Sequence, residues 1–276
     1  MLQHISTPPD DDLKTATGPT VRIGFRKWRI KLLQSDMYPY YETFIAGQYN
    51  SLEILKGDRV LDAGASVGDF SLLATEAVGP SGTVVSLEPD PYYYSILSEN
   101  LQMNKIENCT PLALALSSRT GTGLAFLNKL ESIKQIKTST ITMKDLLKEM
   151  KLSHFDVIKL DVEGAEEEIF DDVSWLSGVR DLVVETHGNA FDRVFATLQT
   201  SGFRVSVYTM REMMTNTLKF AILHPFGFAK AERFSKALGM RTAFKSLSHP
   251  TRGPKIVSGV DSLHIVHAKR IRKVRS

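Results

Sequence analysis

The sequence predicts an α/β protein built on a mostly parallel sheet, and three stretches carry that prediction. Val60–Phe70 reads VLDAGASVGDF: an apolar strand closed by Asp62, a turn holding Gly64 and Gly68, then an amphipathic run to Ala77. Thr83–Leu87 is a second apolar run, closed by Glu88. Phe155–Phe170, FDVIKLDVEGAEEEIF, repeats the pattern with Asp161 at the strand's carboxyl end. Alternation of short apolar strands with helical runs is the signature of βαβ units and a parallel sheet. Ligands in such sheets bind outside the carboxyl ends of the strands, so Asp62, Glu88 and Asp161 face one crevice.

The first turn indicates what that crevice holds. A dinucleotide fingerprint is Gly-x-Gly-x-x-Gly with a pyrophosphate on the helix N-terminus. Here the spacing is Gly64-x-x-x-Gly68 behind a carboxylate, which suits a cationic ligand better than a phosphate. Glu88, twenty residues past Gly68, is placed to accept hydrogen bonds from ribose hydroxyls. A ribose holder beside an acidic turn points to S-adenosylmethionine, which carries a sulfonium and an ammonium. The alternative reading is an ordinary βαβ turn with two surface carboxylates.

The rest of the chain follows in order. Residues 1–20 are polar, with Pro8, Pro9, Pro19 and three consecutive aspartates, and read as a flexible arm. An extension, 21–50, holds VRIGFRKWRIKLL, which fits a strand pair or an edge helix, and the aromatic run Tyr38–Tyr49, which fits core packing ahead of substrate stacking. A methyl-donor domain spans 51–268. Asp90 caps a helix that starts at Pro91 and runs to about Asn104. Leu112–Leu116 reads as the third strand, and the loop at its end offers Ala115, Leu116 and Ser117. Leu124–Leu127 comes after a turn, and Thr142-x-x-Asp145 opens a helix. Leu182–Val184 is the fifth strand, with Glu185, Thr186 and His187 at its carboxyl end. Phe203–Tyr208 is the sixth. An insertion at 209–260 contains one helical piece, Ala229–Leu238, and Ser262–Ala268 is a last strand, antiparallel beside the sixth. Residues 269–276 form a basic tail.

Composition bounds the class. At 276 residues with 42% hydrophobic and 24% charged residues the chain is of ordinary globular composition. The opening MLQHISTPPDDD lacks a basic-then-apolar signal pattern. No run approaches the ~18 apolar residues of a membrane span. Cys109 is the single cysteine, so a reducing, cytoplasmic setting is expected. The net charge of +3 is uneven: residues 226–276 carry 12 Lys+Arg against 2 Asp+Glu, and residues 1–225 carry 22 against 29. A polyanionic partner, nucleic acid or anionic lipid, is the expectation for that end.

VLDAGASVGDF, SLEPDP and IKLDVEGAEEEIF together resemble the FkbM-type family of S-adenosylmethionine-dependent methyltransferases, over about Phe44–Tyr208. The resemblance implies a Rossmann-like class I methyltransferase fold, a seven-stranded sheet of order 3-2-1-4-5-7-6 with helices on both faces. It implies methyl transfer, most often to a hydroxyl of a sugar, glycolipid or small natural product. Carried over by position, Asp62, Gly64 and Gly68 meet the methionine part of the cofactor and Glu88 the ribose. Ala115 faces the adenine, and Asp161 lies by the transferred methyl. Ala65 and Pro89 count among the cofactor-binding positions.

A hydroxyl acceptor must lose its proton. His187 is the preferred base, with a free pKa near ~6.5, and Asp161 is its rival. A divalent metal on Asp161, Glu185 and His187 is a third arrangement. Lys159 and Glu163 fit ion pairing as well as the crevice. Glu166, Glu167 and Glu168 read as acidic residues stabilising a helix N-terminus. Two other functions stay open. One is an RNA methyltransferase using the basic C-terminal region, although the strand-4 end lacks an Asn/Asp-Pro-Pro-aromatic signature. The other is a non-catalytic cofactor-binding scaffold. The acceptor is expected to be a small molecule or glycan; the oligomeric state is not legible.

Overall fold

The computed structural model describes residues 19–34, 36–129, 132–224 and 263–271. The chain opens with an antiparallel hairpin, β1 (Thr20–Phe25) and β2 (Trp28–Leu33). Of the two readings of this basic, apolar stretch, the strand pair is the one realised. Period-2 alternation explains it: Trp28, Ile30 and Leu32 are buried on one side of β2. Arg26 takes φ 51 at the two-residue turn, as hairpins of this length require. A short helical segment follows, α1 (Tyr38–Tyr40), continuing into a π-helical turn at Tyr41–Ala46.

The main sheet then begins with β3 (Arg59–Ala63), α2 (Asp69–Val78), β4 (Thr83–Leu87), α3 (Pro91–Met103) and β5 (Cys109–Leu112). An excursion holds β6 (Ala115–Leu116), β7 (Gly121–Lys129) and β8 (Ser132–Ile141), a separate three-stranded sheet. The chain returns through α4 (Met143–Glu149), β9 (Val157–Leu160), the single turn α5 (Glu166–Ile169) and β10 (Asp181–His187). It ends with α6 (Ala190–Thr200), β11 (Phe203–Val207), α7 (Met210–Leu223) and β12 (Leu263–Arg270).

The seven-stranded sheet has the order β11-β12-β10-β9-β3-β4-β5. Numbered along the chain within the sheet, this is 3-2-1-4-5-7-6, the expected order. β12 runs antiparallel to both neighbours, while the other neighbouring pairs are parallel. Alternation along each strand divides the core between the two faces. Leu61, Val85, Ile158, Leu160, Leu182 and Val184 pack against the α6 side chains Val194 and Leu198. Val60, Val84, Val157 and Val183 pack against Phe70, Ala74 and Val78 of α2 and against Tyr49.

Three expectations change, and one lies outside the described residues. The third strand ends at Leu112, and Ala115–Leu116 belongs to the small sheet, paired with Thr140 and Ile141 of β8. The stretch after Tyr208 opens with a 14-residue helix, α7, closed at its N-terminus by a capping box of Thr209 and Glu212. Ala229–Leu238 lies outside the described residues. Lys269 and Arg270, expected in a tail, complete β12. Lys269 pairs with Glu53 at 2.6 Å, and Arg270 donates to the carbonyls of Val179 and Ser201 and stacks over Phe203. Among the described residues no helix is long and apolar enough to cross a membrane.

Asn100 ties the hairpin to the domain. Wholly buried in α3, it accepts from Lys31 N at 2.7 Å and donates to Lys31 O and Val67 O at 2.9 and 2.8 Å. Its removal strands buried backbone groups, each costing ~1–3 kcal/mol. Asn100→Ala is expected to lower unfolding free energy by about 2–4 kcal/mol in urea titration, against under about 0.5 kcal/mol for an exposed control such as Glu107→Ala.

Candidate active site

The parallel register sets one row of side chains. Asp62 lies opposite Ser86 on one side and Lys159 on the other, and Lys159 opposite Val183. The ladder continues beyond the strands through Gly64 N to Leu87 O and Asp161 N to Ala63 O, each 3.0 Å. Two residues on, the same face therefore presents Gly64, Glu88, Asp161 and Glu185, with His187 beyond. The strand tips form a line of carboxylates.

The glycine turn is shaped for close approach. Gly64 has φ 79, and a Cβ there would lie 1.7 Å from the carbonyl oxygen of Asp161. Glu88 is buried and braces the turn: one carboxylate oxygen accepts from Ser66 N at 2.7 Å, the other from Asp90 N at 2.8 Å. Each oxygen keeps a further lone pair for a diol. Burial pushes the Glu88 carboxyl up to about 8. Asp90 caps α3 as expected, accepting from Tyr92 N.

Asp62 differs from expectation. It is wholly buried and turned into the protein, accepting from Ser71 Oγ at 2.6 Å and pairing with Lys159 Nζ at 3.2 Å. It presents no surface to the crevice. Lys159, also buried, donates to the Gly64 carbonyl at 2.6 Å and lies 3.8 Å from Asp161. Burial lowers the affinity of Lys159 for its proton, but Asp62, Asp161 and Asp69 outweigh it and hold the ammonium charged.

The extension supplies a wall that the sequence did not reveal. Glu42 is buried in the helical segment, its carboxyl pushed well up by burial and by the nearby charges of Glu185 and Asp161. Gln48 donates to Glu185 at 2.9 Å. Tyr49 packs on Phe70, with Lys159 Nζ 5.6 Å from its ring. Thr43 donates to Asp69, whose carboxyl burial raises to about 7. Asn216 of α7 donates to the Ala46 carbonyl at 2.9 Å, anchoring this wall. The core role read for the aromatic run holds for Tyr40 and Phe44.

His187 sits among carboxylates. Its Nδ1 is 2.8 Å from Glu166, and its Nε2 is 3.4 Å from Glu163 and 3.8 Å from Glu185. Burial lowers the imidazole pKa, but Glu166, Glu185 and Glu163 carry it up to about 10, not the ~6.5 of a free side chain. Burial and Asp161 push Glu185 up to about 8. Asp161 is raised by burial against the opposing charges of Lys159 and His187. Glu166 corrects the helix-terminus reading: it is fully buried on a one-turn helix. Glu167 and Glu168 are exposed, pairing with Arg193 and Ser118. Among the described residues, the triad that could hold a metal ion is Asp161, Glu163 and His187, with ligand atoms within 4.8 Å of one another. Glu163 thus replaces Glu185 in the expected set. Ala115, half-buried, stands in the small sheet three residues past the β5 tip, so Ala113 and Leu114 are the residues following that tip.

This strand order, with acidic tips and a glycine turn, defines a methyltransferase of the S-adenosylmethionine-dependent class. Residues 62–205, more than half of the chain, match the family model described as the methyltransferase FkbM domain, and the chain belongs to that family. It is 29% identical over 234 residues to methyltransferase sdnD of Sordaria araneosa, covering 64% of this chain and 90% of that protein. It is 24% identical over 212 residues to the 31-O-demethyl-FK506 methyltransferase FkbM of Streptomyces tacrolimicus, covering 60% and 81%. Among solved structures, the FkbM methyltransferase of Methylobacillus flagellatus is similar at 16% identity and TM-score 0.44, covering 62% of this chain and 47% of that one.

Glu88, Glu185 and His187, raised to about 8, 8 and 10, favour their protonated forms near neutral pH. A cation bearing a ribose favours their deprotonated forms, so binding S-adenosylmethionine releases protons. Affinity is expected to rise from pH 6 to 8, by up to about tenfold per pH unit for each proton released. Calorimetry in buffers of different ionisation enthalpy reads the proton count directly; Glu88→Gln should reduce it.

Proposed function

We propose that the chain transfers a methyl group from S-adenosylmethionine to a hydroxyl oxygen of a neutral acceptor, a sugar, glycolipid or small natural product. The observation that carries this reading is the row Asp161, Glu185 and His187 at two adjacent strand tips, walled by Glu42 and Gln48. The residues fit the donor: Gly64, with no side chain, lets the turn close directly on the Asp161 backbone at the next strand tip. Glu88 retains acceptor capacity toward a ribose, and the crevice carboxylates complement a sulfonium and an ammonium.

S-adenosylmethionine, when bound, supplies an electrophilic methyl on a positive sulfur. Glu88 would hold its ribose, the Gly64–Gly68 turn its methionine portion, and Asp161 the region of the methyl. Asp62 acts from below, through Lys159, to fix the turn. The acceptor oxygen forms its bond to the methyl carbon as the carbon–sulfur bond breaks, and its proton passes to Nε2 of His187. The carboxylates of Glu166, Glu185 and Glu163 favour the imidazolium form of His187. A sulfonium placed among the same carboxylates competes with it for them, so the imidazole becomes a base as the donor enters.

The RNA reading has less support. A phosphate backbone would meet the carboxylates of Glu42, Asp161, Glu163 and Glu185, a repulsive arrangement. Of the basic residues near the C-terminus, Lys269 and Arg270 are engaged within the fold. A polyanionic contact by the remaining basic residues is compatible with a neutral acceptor in the crevice.

His187→Ala is expected to lower turnover by about 10²–10⁴-fold. Its S-adenosylmethionine affinity, by calorimetry at pH 8.5, should not fall, and should rise where the imidazolium competed with the sulfonium for the carboxylates. The readout is S-adenosylhomocysteine release from a panel of neutral polyols and glycans. Turnover should persist in EDTA; its loss would transfer Asp161, Glu163 and His187 to a metal-held mechanism. Turnover on RNA alone would overturn the acceptor class.

A further inference from the structure

His187 has a second partner that the reaction just described does not use. Glu166 Oε1 lies 2.8 Å from Nδ1, and the same oxygen accepts from Gly164 N at 3.1 Å. Glu166 is fully buried, and its other oxygen has no hydrogen-bond partner. A buried carboxylate is costly unless a charge or strong donor compensates it. A helix dipole offers little here, because α5 is a single turn of four residues. The ion pair found for Glu166 is with His187. Burial of Glu166 and placement of His187 are thus one arrangement.

The geometry assigns a role to it. With Nδ1 donating to Glu166, the neutral imidazole carries its proton on that nitrogen and leaves Nε2 as the acceptor. Nε2 is the nitrogen that faces Glu163 and Glu185 across the crevice. The reverse tautomer would put a lone pair against the Glu166 carboxylate and a proton where the acceptor hydroxyl must deliver its own. We infer that Glu166 is a positioning residue for His187: it selects the Nδ1–H tautomer, aims Nε2 at the strand-tip row and keeps that nitrogen basic. This rests on His187 receiving the acceptor's proton. The other ionisable groups around His187 are Asp161, Glu163 and Glu185, with Lys159 beside Asp161. They act on either tautomer through charge, whereas Glu166 alone is bonded at Nδ1.

The test needs no acceptor. Imidazole nitrogen shifts, read by long-range ¹H–¹⁵N correlation on the full chain, report tautomer and titration of His187, assigned against His187→Gln. Wild-type protein should show Nδ1–H with an unprotonated Nε2 above the titration midpoint. Glu166→Gln keeps an acceptor oxygen but loses the charge. The tautomer should persist while the midpoint falls by at least one pH unit, a tenfold change in the proton equilibrium. Glu166→Ala should give a mixture of tautomers. An Nε2–H wild-type imidazole, or an unchanged midpoint in Glu166→Gln, overturns the inference. If Glu166→Ala does not fold, the Glu166→Gln titration still decides. S-adenosylmethionine calorimetry on the same samples separates the outcomes: no binding sinks the proposed reaction, while the tautomer remains readable.

Discussion

The buried ammonium of Lys159 is the fixed point on which the crevice depends. It stands in the middle of a strand, where a charge is expensive, and it survives there because three oxygens surround it. Asp62 on the neighbouring strand pairs with it, the Gly64 carbonyl accepts from it, and Asp161 stands just beyond. Register does the rest: strands β3 and β9 align Asp62 with Lys159. The glycine turn is thereby clamped to the tip of the fourth strand in the sheet, the place where donor and acceptor would have to meet. A neutral pair of similar volume could fill the space, but it could not hold a backbone carbonyl and two carboxylates in one arrangement.

The N-terminal extension converts a shared fold into a particular crevice. The strand tips alone make an open acidic edge. Glu42, Gln48 and Tyr49 close one side of it, and they are held in place from below by Phe70 and from the far side by Asn216 of α7. The hairpin before them packs on α3 and fixes where that wall begins. Crevice shape therefore depends on segments distant in sequence from the glycine turn.

What the sequence revealed follows from the same division. Asp62, Glu88 and Asp161 were legible because each ends an apolar run, and strand alternation fixes which way such a residue faces. The sheet order was legible through the resemblance carried by the blocks around them. That Asp62 points inward was not legible, since its partner Lys159 lies about a hundred residues away. Glu42 sits in a π-helical turn and Gln48 in the turn just past it, with no periodic signal. Glu166 gave a misleading signal: three consecutive glutamates at a helix start look alike in sequence, and tertiary packing buries one of them. The α7 helix has a local signal, Thr209 and Glu212 three apart, but no strong apolar periodicity to set it off from the long connection it opens. The β7–β8 ribbon was hidden because a largely exposed pair of strands needs no apolar face.

The antiparallel insertion of β12 has a consequence for how the molecule is made. β10 and β11 do not touch; each pairs with β12, which comes more than fifty residues after β11 in the chain. Until residues 263–270 arrive, β10 has a bare outer edge, and β11 has no place in the sheet. Contacts of such long sequence separation form slowly, and an unpaired strand invites pairing with another molecule. A polypeptide emerging from the ribosome thus carries Glu185 and His187 on a border strand for the whole synthesis of the intervening segment. Their environment is completed only when β12 joins the sheet.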